Sequence, residues 1–365
     1  MLDIAAMTAR PRTEAGVEGH RRAVAVWLFA SCALIFLMVV VGGITRLTLS
    51  GLSITEWQPV VGIVPPLSTA DWSAAFAKYK EVPEYRAVHL AMSLDEFKGI
   101  YFWEYAHRLL GRLIGVAFAG PFVWFLVRGC LPRRLVPSLC GILLLGFAQG
   151  GLGWYMVKSG LADRVEVSQY RLVAHLALAL ALYTAILWAA LGIVRGPARA
   201  DLGSGWKRAA DAVLILVALT IVAGGFVAGT RAGLTYNTFP LMDGKLVPDG
   251  YAQLRPFFLN WFENIAAVQF NHRLLAVGTA MVVLLVWSAG RRALLPRPVG
   301  AALNALLGAA VLQVALGITT LVLVVPVPLA AAHQAGALLL LTAAINFRHT
   351  TRKVAPMDED APAPI

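Results

Sequence analysis

His107, His175, His272 and His333 each interrupt a long apolar stretch. An ionisable side chain inside a membrane span costs about 2.5–3.5 kcal/mol at mid-bilayer on insertion scales, so its presence points to function. A single such histidine would be read as a neutral ring hydrogen-bonded to a neighbouring helix; one on every second apolar stretch calls for a shared ligand. Zinc would want a third or fourth ligand such as Cys, Asp or Glu. His107 has Glu104 one turn away, but the matching place beside His272 is Gln269. Two opposed imidazoles suit the axial positions of a haem iron better. A porphyrin also needs a flat slot. The residue one turn beyond each histidine is small (Gly111, Ala179, Ala276, Ala337), and Gly115 follows Gly111 by another turn.

The surroundings of the histidines are unequal. Glu104-Tyr105-Ala106-His107 is matched by Gln269-Phe270-Asn271-His272. At i, i+3 spacing Glu104 shares a helix face with His107. A carboxylate beside a haem edge can take a proton or stabilise developing positive charge; an amide cannot act as a base. The expectation is a reactive haem site in the N-terminal half and a structural or electron-transfer haem in the C-terminal half. The competing reading leaves Glu104 solvated at the membrane surface. Arg108 and Arg273 follow their histidines, and Arg46, Arg171 and Arg231 stand at helix ends. Arginine forks suit haem propionates, although they also snorkel to lipid phosphates.

The elements that position these residues follow from apolar runs of about 20 residues. Eight occur, at 24–44, 100–127, 136–156, 172–193, 209–229, 266–289, 299–325 and 329–347. Basic residues gather at alternate ends: Arg10, Arg12, Arg21 and Arg22 before the first run, Arg133 and Arg134 between the second and third, Arg195, Arg199, Lys207 and Arg208 after the fourth, Arg291 and Arg292 after the sixth, Arg348, Arg352 and Lys353 after the last. Loops 45–99, 157–168 and 230–265 are close to neutral. The positive-inside rule then places both termini in the cytoplasm. Every even-numbered span enters from outside, so all four histidines lie toward one outer, periplasmic face. That arrangement disfavours a haem stack carrying electrons across the membrane. Loop 45–99 is rich in aromatics (Trp57, Trp72, Phe76, Tyr79, Tyr85, Phe97), which suit a lid or an interfacial belt. Ser93 with Glu96 reads as a capping box opening the second span.

The chain also repeats itself. Gly42-Gly43, Gly51-Leu52-Ser53 and Pro59 are echoed at the same early spacing by Gly224-Gly225, Gly233-Leu234-Thr235 and Pro240. His107-Arg108-Leu109-Leu110 is echoed by His272-Arg273-Leu274-Leu275, Gln149 with Leu152-Gly153 by Gln313 with Leu316-Gly317, and His175 by His333. An even number of spans per copy makes the repeats parallel. The expected architecture is an all-α integral membrane protein, with eight transmembrane helices forming two pseudo-symmetric parallel four-helix bundles. Its divisions would be a cytoplasmic tail 1–23, an N-terminal bundle 24–193, a linker 194–208, a C-terminal bundle 209–347 and a cytoplasmic tail 348–365.

Composition agrees. The 365 residues carry 31 Lys+Arg against 20 Asp+Glu, a formal +11, yet only 14% are charged and 59% are hydrophobic; mean hydropathy is +0.71. Soluble domains carry about 25% charged residues. The excess of base is a topology signal, and no nucleic-acid partner is expected. Cys32, Cys130 and Cys140 are too few for a disulfide framework and read as small buried hydrophobes.

The eight spans, the paired repeats, Glu-x-x-His-Arg-Leu-Leu-Gly around His107, Asn-His-Arg-Leu-Leu around His272, and Gly-Gly-Ile-Thr-Arg-Leu-Thr with Gly-Leu-Ser-Ile-Thr-Glu-Trp-Gln-Pro after the first span together resemble the heme A synthase family, in its proteobacterial and mitochondrial branch, over about 24–347. The resemblance implies an enzyme of the bacterial inner membrane that oxidises a methyl group of haem O to the formyl group of haem A for cytochrome oxidase biogenesis. It implies that His107 and His175 flank the substrate haem, that His272 and His333 ligate a haem b, and that Glu104 is the catalytic carboxylate. The partners it implies are haem O, membrane lipid and an electron acceptor of unspecified kind, with the farnesyltransferase that makes haem O and a second copy of the chain as candidates. Some members carry a cysteine pair in the first outer loop; this chain has no cysteine in any outer loop, so a redox role for such a pair does not apply. The rival readings are a di-haem quinol or cytochrome oxidoreductase that leaves its haems unchanged, and a haem-free transporter or assembly scaffold.

Overall fold

The computed structural model describes residues 14–56, 61–163, 167–196 and 202–352. Arg10, Arg12, Trp57, Pro59, Arg199 and Lys353, invoked above, lie outside the described residues. The α-helices among the described residues are α1 (Glu14–Leu47), α2 (Thr69–Tyr79), α3 (Pro83–Val88), α4 (Leu94–Val127), α5 (Val136–Asp163), α6 (Gln169–Arg195), α7 (Gly203–Gly229), α8 (Ile265–Arg292), α9 (Arg297–Val322) and α10 (Val327–Thr350). Eight of them, all but α2 and α3, are long and apolar enough to cross a membrane. No strand occurs among the described residues.

These eight coincide with the apolar runs, and most of their ends reach further, although α9 stops at Val322, short of the expected 325, where Val324 and Val325 take positive φ. The first candidate span is Gly19–Leu47, so Arg21 and Arg22 sit on the helix and not in a tail. His349 belongs to α10 and is buried, not part of a polar tail. Hydropathy marks the part of a helix that wants lipid; backbone hydrogen bonding carries the helix on into polar residues at either end. The capping box at the start of α4 forms as expected: Glu96 N–H donates to Ser93 Oγ at 3.3 Å and Ser93 N–H to Glu96 Oε2 at 2.8 Å. Ser93→Ala is expected to cost about 1 kcal/mol locally, seen as faster amide exchange over the first turn of α4 with the lower part of the helix unaffected.

Contacts form two closed rings. Helix α1 packs on α4, α4 on α5, α5 on α6, and α6 back on α1; likewise α7 packs on α8, α8 on α9, α9 on α10, and α10 back on α7. The rings meet through α1 against α10, α6 against α7, and α6 against α10. Polar ties cross the seam, among them Tyr183 Oη with Thr342 Oγ1 at 2.7 Å and Arg195 Nη1 donating to the Asn346 carbonyl at 3.4 Å.

The apolar core occupies one end of this assembly. Val24–Val39 on α1, Phe118–Phe125 on α4, Leu180–Leu191 on α6, Ala210–Val217 on α7, Val299–Ala310 on α9 and Leu338–Phe347 on α10 contribute its buried side chains. On every helix that begins at the terminal side the core precedes the repeated Gly or Gln landmarks, and on every returning helix it follows the histidine. All four histidines therefore share the other end.

Beyond that end, α2, α3 and the first turns of α4 close around their own aromatic cluster. Phe76 and Phe97 stack at 4.9 Å and Tyr79 and Phe97 at 5.3 Å, with Trp72 and Tyr85 packed against them. These rings form a packed cap, not a belt of separate anchors. His89 is tied into it by Tyr79 Oη at 2.7 Å from Nδ1. Cys32 is buried, but Cys140 is exposed on α5, so the reading of all three cysteines as buried hydrophobes fails there; α5 turns that face away from its neighbours.

Candidate functional site

Each of the four histidines lies on a glycine of a neighbouring helix. A Cβ added to Gly42 on α1 would fall 3.1 Å from His107 Nε2. On Gly153 of α5 it would fall 3.0 Å from His175 Cε1, on Gly224 of α7 3.0 Å from His272 Cε1, and on Gly317 of α9 2.9 Å from His333 Cε1. The contact at Gly317 is shorter than real Cβ atoms show, and those at the other three are tighter than nearly all, so an added methyl would have to push each ring aside. The Gly-Gly and Leu-Gly landmarks of the repeat are thus floors for imidazoles. Gly111, one turn beyond His107, faces Met38 Cε instead, with a Cβ there at 3.1 Å. His107 lies near His175, and His272 near His333. Among the described residues no group of three or more His, Cys, Asp or Glu converges, which leaves paired imidazoles and not a zinc cage.

The ring nitrogens of the two pairs are held differently. A ligating histidine ordinarily anchors one nitrogen on the protein and offers the other. His272 donates from Nδ1 to the Thr220 carbonyl at 3.1 Å, and His333 is held at Nδ1 by the Gln313 amide at 3.1 Å. No hydrogen bond to Nε2 of either ring occurs among the described residues; His272 thus has Nδ1–H anchored and Nε2 open, whereas the Gln313 NH2, a donor, leaves His333 Nδ1 as the acceptor. The N-terminal pair differs. Gln149 contacts Nε2 of His175 at 3.2 Å, while His175 Nδ1 is buried without a partner; His107 turns Nε2 onto Gly42.

Glu104 is 2% exposed, which overturns the reading of a solvated carboxylate. It accepts from Ser53 Oγ at 2.8 Å, from Ile54 N at 2.6 Å and from Arg108 Nη2 at 2.6 Å. Arg108 also donates to the carbonyls of Ile54 at 2.8 Å and Glu56 at 3.0 Å. Together the pair fastens the loop after α1 to α4. The other half repeats the clamp with inverted polarity. Gln269 donates from Nε2 to the carbonyls of Ala232 at 2.7 Å and Thr235 at 2.6 Å, and Arg273 donates to Gln269 Oε1 at 2.9 Å and to the carbonyls of Tyr236 at 2.5 Å and Thr238 at 2.8 Å. A carboxylate that only accepts meets donors; an amide that donates meets carbonyls. Arg108 and Arg273 are expected to meet propionates; in the structure their forks hold loop carbonyls. Arg46 likewise donates to the Gly229 carbonyl at 3.2 Å, and Arg171 lies 4.7 Å from the Tyr155 ring centroid. The i, i+4 spacing of Glu104 with Arg108 was the sequence signal for this clamp; Ser53 and Ile54 carried none.

One contact joins the two levels of the site across the seam. Gln334, next to His333, donates to the Val39 carbonyl of α1 at 2.8 Å, and its amide fills the space over Gly43, beside the Gly42 on which His107 rests. The counterpart is apolar: Leu176, next to His175, packs at Gly225, beside the Gly224 under His272.

With this geometry in place, the likenesses of the chain can be read against it. Residues 25–345 match the family described as cytochrome oxidase assembly protein, COX15-CtaA. The chain is 53% identical over 336 residues to the heme A synthase of Nitrosospira multiformis, covering 91% of this chain and 94% of that one. It is 53% identical over 333 residues to the heme A synthase of Rhodospirillum centenum, covering 91% and 89%. With that of Parvibaculum lavamentivorans it shares 47% over 349 residues, covering 95% and 100%.

Proposed function

This chain belongs to the cytochrome oxidase assembly protein family COX15-CtaA, and we propose from that premise that it is a heme A synthase, an oxidoreductase that converts a methyl group of haem O into the formyl group of haem A within the membrane. The observation that carries the reading is the unequal pair of histidine sites. His272 and His333 are set by Thr220 and Gln313 to hold a haem b through free Nε2 nitrogens. His107 and His175 are not so set, and the buried carboxylate of Glu104 precedes His107 by three residues on α4. A resident haem suits the first kind of site and a passing substrate the second.

The chain is a multi-pass membrane protein. The two closed helix rings support a division into N-terminal and C-terminal bundles related as parallel repeats. The basic helix ends at the core side support cytoplasmic termini and a periplasmic-facing haem level in a bacterial inner membrane. The cap over α4 shields the N-terminal pair from bulk water, while the lipid-facing flanks leave haem O a sideways approach along its farnesyl tail.

In the reaction, His107, His175 or both hold the substrate iron, with the glycine floors fixing where the rings can stand. Glu104 is the acceptor for protons released as the methyl takes an oxygen atom from water to become an alcohol, giving up two protons and two electrons, and then gives up two more of each to become an aldehyde, the electrons leaving to an external acceptor. Arg108 balances the carboxylate charge, and Ser53 and Ile54 fix its position. Haem b, when bound, supplies a one-electron relay beside the substrate site.

Acid extraction and mass spectrometry of the haems in the purified protein test this. Haem b together with haem O, its hydroxylated form or haem A is the expected content. Haem b alone, in equal amounts at both sites, would replace the reading with a di-haem oxidoreductase, and well-folded protein without a Soret band would replace it with a haem-free transporter or scaffold.

A further inference from the structure

His175 and His333 occupy matching places on α6 and α10, and each is approached by a glutamine from the preceding helix, Gln149 on α5 and Gln313 on α9. The rings stand alike on their glycines, with Cε1 the nearest atom in both cases. The glutamines nevertheless grip opposite nitrogens. Gln313 reaches Nδ1 of His333 at 3.1 Å. Gln149 reaches Nε2 of His175 at 3.2 Å and donates as well to the His175 carbonyl at 3.1 Å. Three atoms of this set are buried without a partner: His175 Nδ1, Gln149 Oε1 and Gln313 Oε1.

Iron takes the imidazole nitrogen that carries no proton. With Nε2 as ligand, Nδ1 is protonated and needs an acceptor. Gln313 can supply one: a half-turn of its amide brings the partnerless Oε1 onto Nδ1–H and leaves the ring in place. Gly336 makes room for that amide, since a Cβ there would come within 2.3 Å of Gln313 Oε1. His333 is thereby backed from behind with its iron-binding nitrogen open. Gln149 stands instead on Nε2 itself, the nitrogen an arriving iron must take.

Resting on the reading of a resident haem b in the C-terminal half and a substrate haem in the N-terminal half, we propose that these equivalent glutamines set how long each haem stays. Gln313 supports His333 and keeps haem b resident. Gln149 competes with iron for His175 and keeps the substrate site exchangeable. Two imidazole pairs alone would hold both haems alike; a catalyst must release one of them. Both glutamines are positioning residues.

The test is haem loss from the full-length purified protein to apomyoglobin, with haem b distinguished by mass from farnesylated haem. Gln149→Leu is expected to slow loss of the farnesylated haem about five-fold, and Gln313→Leu to speed loss of haem b about five-fold, the worth of one hydrogen bond. A merely loosened fold speeds loss in both variants, so the slower release from Gln149→Leu is a signature that damage does not produce. Gln149→Asn, one methylene shorter, is expected to act in the same direction and serves where the leucine variant does not fold. Unchanged or faster loss from the position-149 variants, or unchanged haem b loss from Gln313→Leu, overturns the proposal. A wild-type protein lacking farnesylated haem overturns the functional reading and this inference with it; a wild type holding both haems with unmoved release rates overturns this inference alone.

Discussion

Replacing Glu104 by Gln stops conversion of haem O, by roughly a hundred-fold or more, while haem b stays bound. Loss of a positioned proton acceptor costs about 10²–10⁴ in rate. The amide keeps the shape of the side chain and one oxygen for Arg108, but its NH2 group meets the Ile54 N–H as a second donor. One unsatisfied buried group costs about 1–3 kcal/mol, which the loop after α1 can absorb. Glu104→Ala is a poorer probe: Arg108 would be left buried without its partner, and breaking a buried pair costs about 3–5 kcal/mol. The measurement is haem A formed per haem b in membranes. Full activity in Glu104→Gln would move the reactive site elsewhere. The converse change separates chemistry from clamp. Gln269→Glu sets a carboxylate against the carbonyls of Ala232 and Thr235, with Arg273 as its one attraction. It is expected to lower the thermal stability of the haem b half by about 2 kcal/mol and to create no second reactive site.

The second large effect belongs to a residue with no side chain. Gly317→Val drives a branched Cβ into the place of His333 Cε1, which lies 2.9 Å from even an added methyl. The ring must leave its rotamer, and haem b is lost. Helix α9 should be no weaker for the change, because glycine in a helix interior already costs about 0.5–1 kcal/mol relative to alanine. Absorbance at the Soret band is therefore expected to fall while helical circular dichroism holds. Gly308 on the same helix faces open space, and Gly308→Ala is expected to keep its haem. Haem b at the wild-type level in Gly317→Val would show that His333 does not ligate it.

The spans, their number and the unequal neighbours of His107 and His272 were legible because lipid imposes them residue by residue. Helix ends were not: Glu14 to Arg22 and Arg348 to Thr350 are helical through backbone bonding that no hydropathy window registers. The repeated Gly42, Gly153, Gly224, Gly317, Gln149 and Gln313 were visible as landmarks, yet their purpose was hidden. A single chain states the order of helices, not which helix faces which. Gly42 acquires its meaning only when α1 is laid against α4, and Gln149 only when α5 meets α6. The loop contacts of Arg108 were hidden for a related reason. A guanidinium looks the same in sequence whether it awaits an anion or already holds the carbonyls of a loop that is distant along the chain.

Helices α4, α5, α8 and α9 stand on the flanks and bury far less of their apolar length than α1, α6 and α10. The bilayer is therefore the reaction solvent as well as the support. A substrate that approaches through those flanks is counted by its mole fraction among lipids, not by its molarity in the cell. The natural Michaelis constant is then a two-dimensional one. Adding lipid or detergent dilutes the substrate as surely as adding water dilutes a soluble one, and a rate quoted per bulk volume compares membranes of different area without saying so.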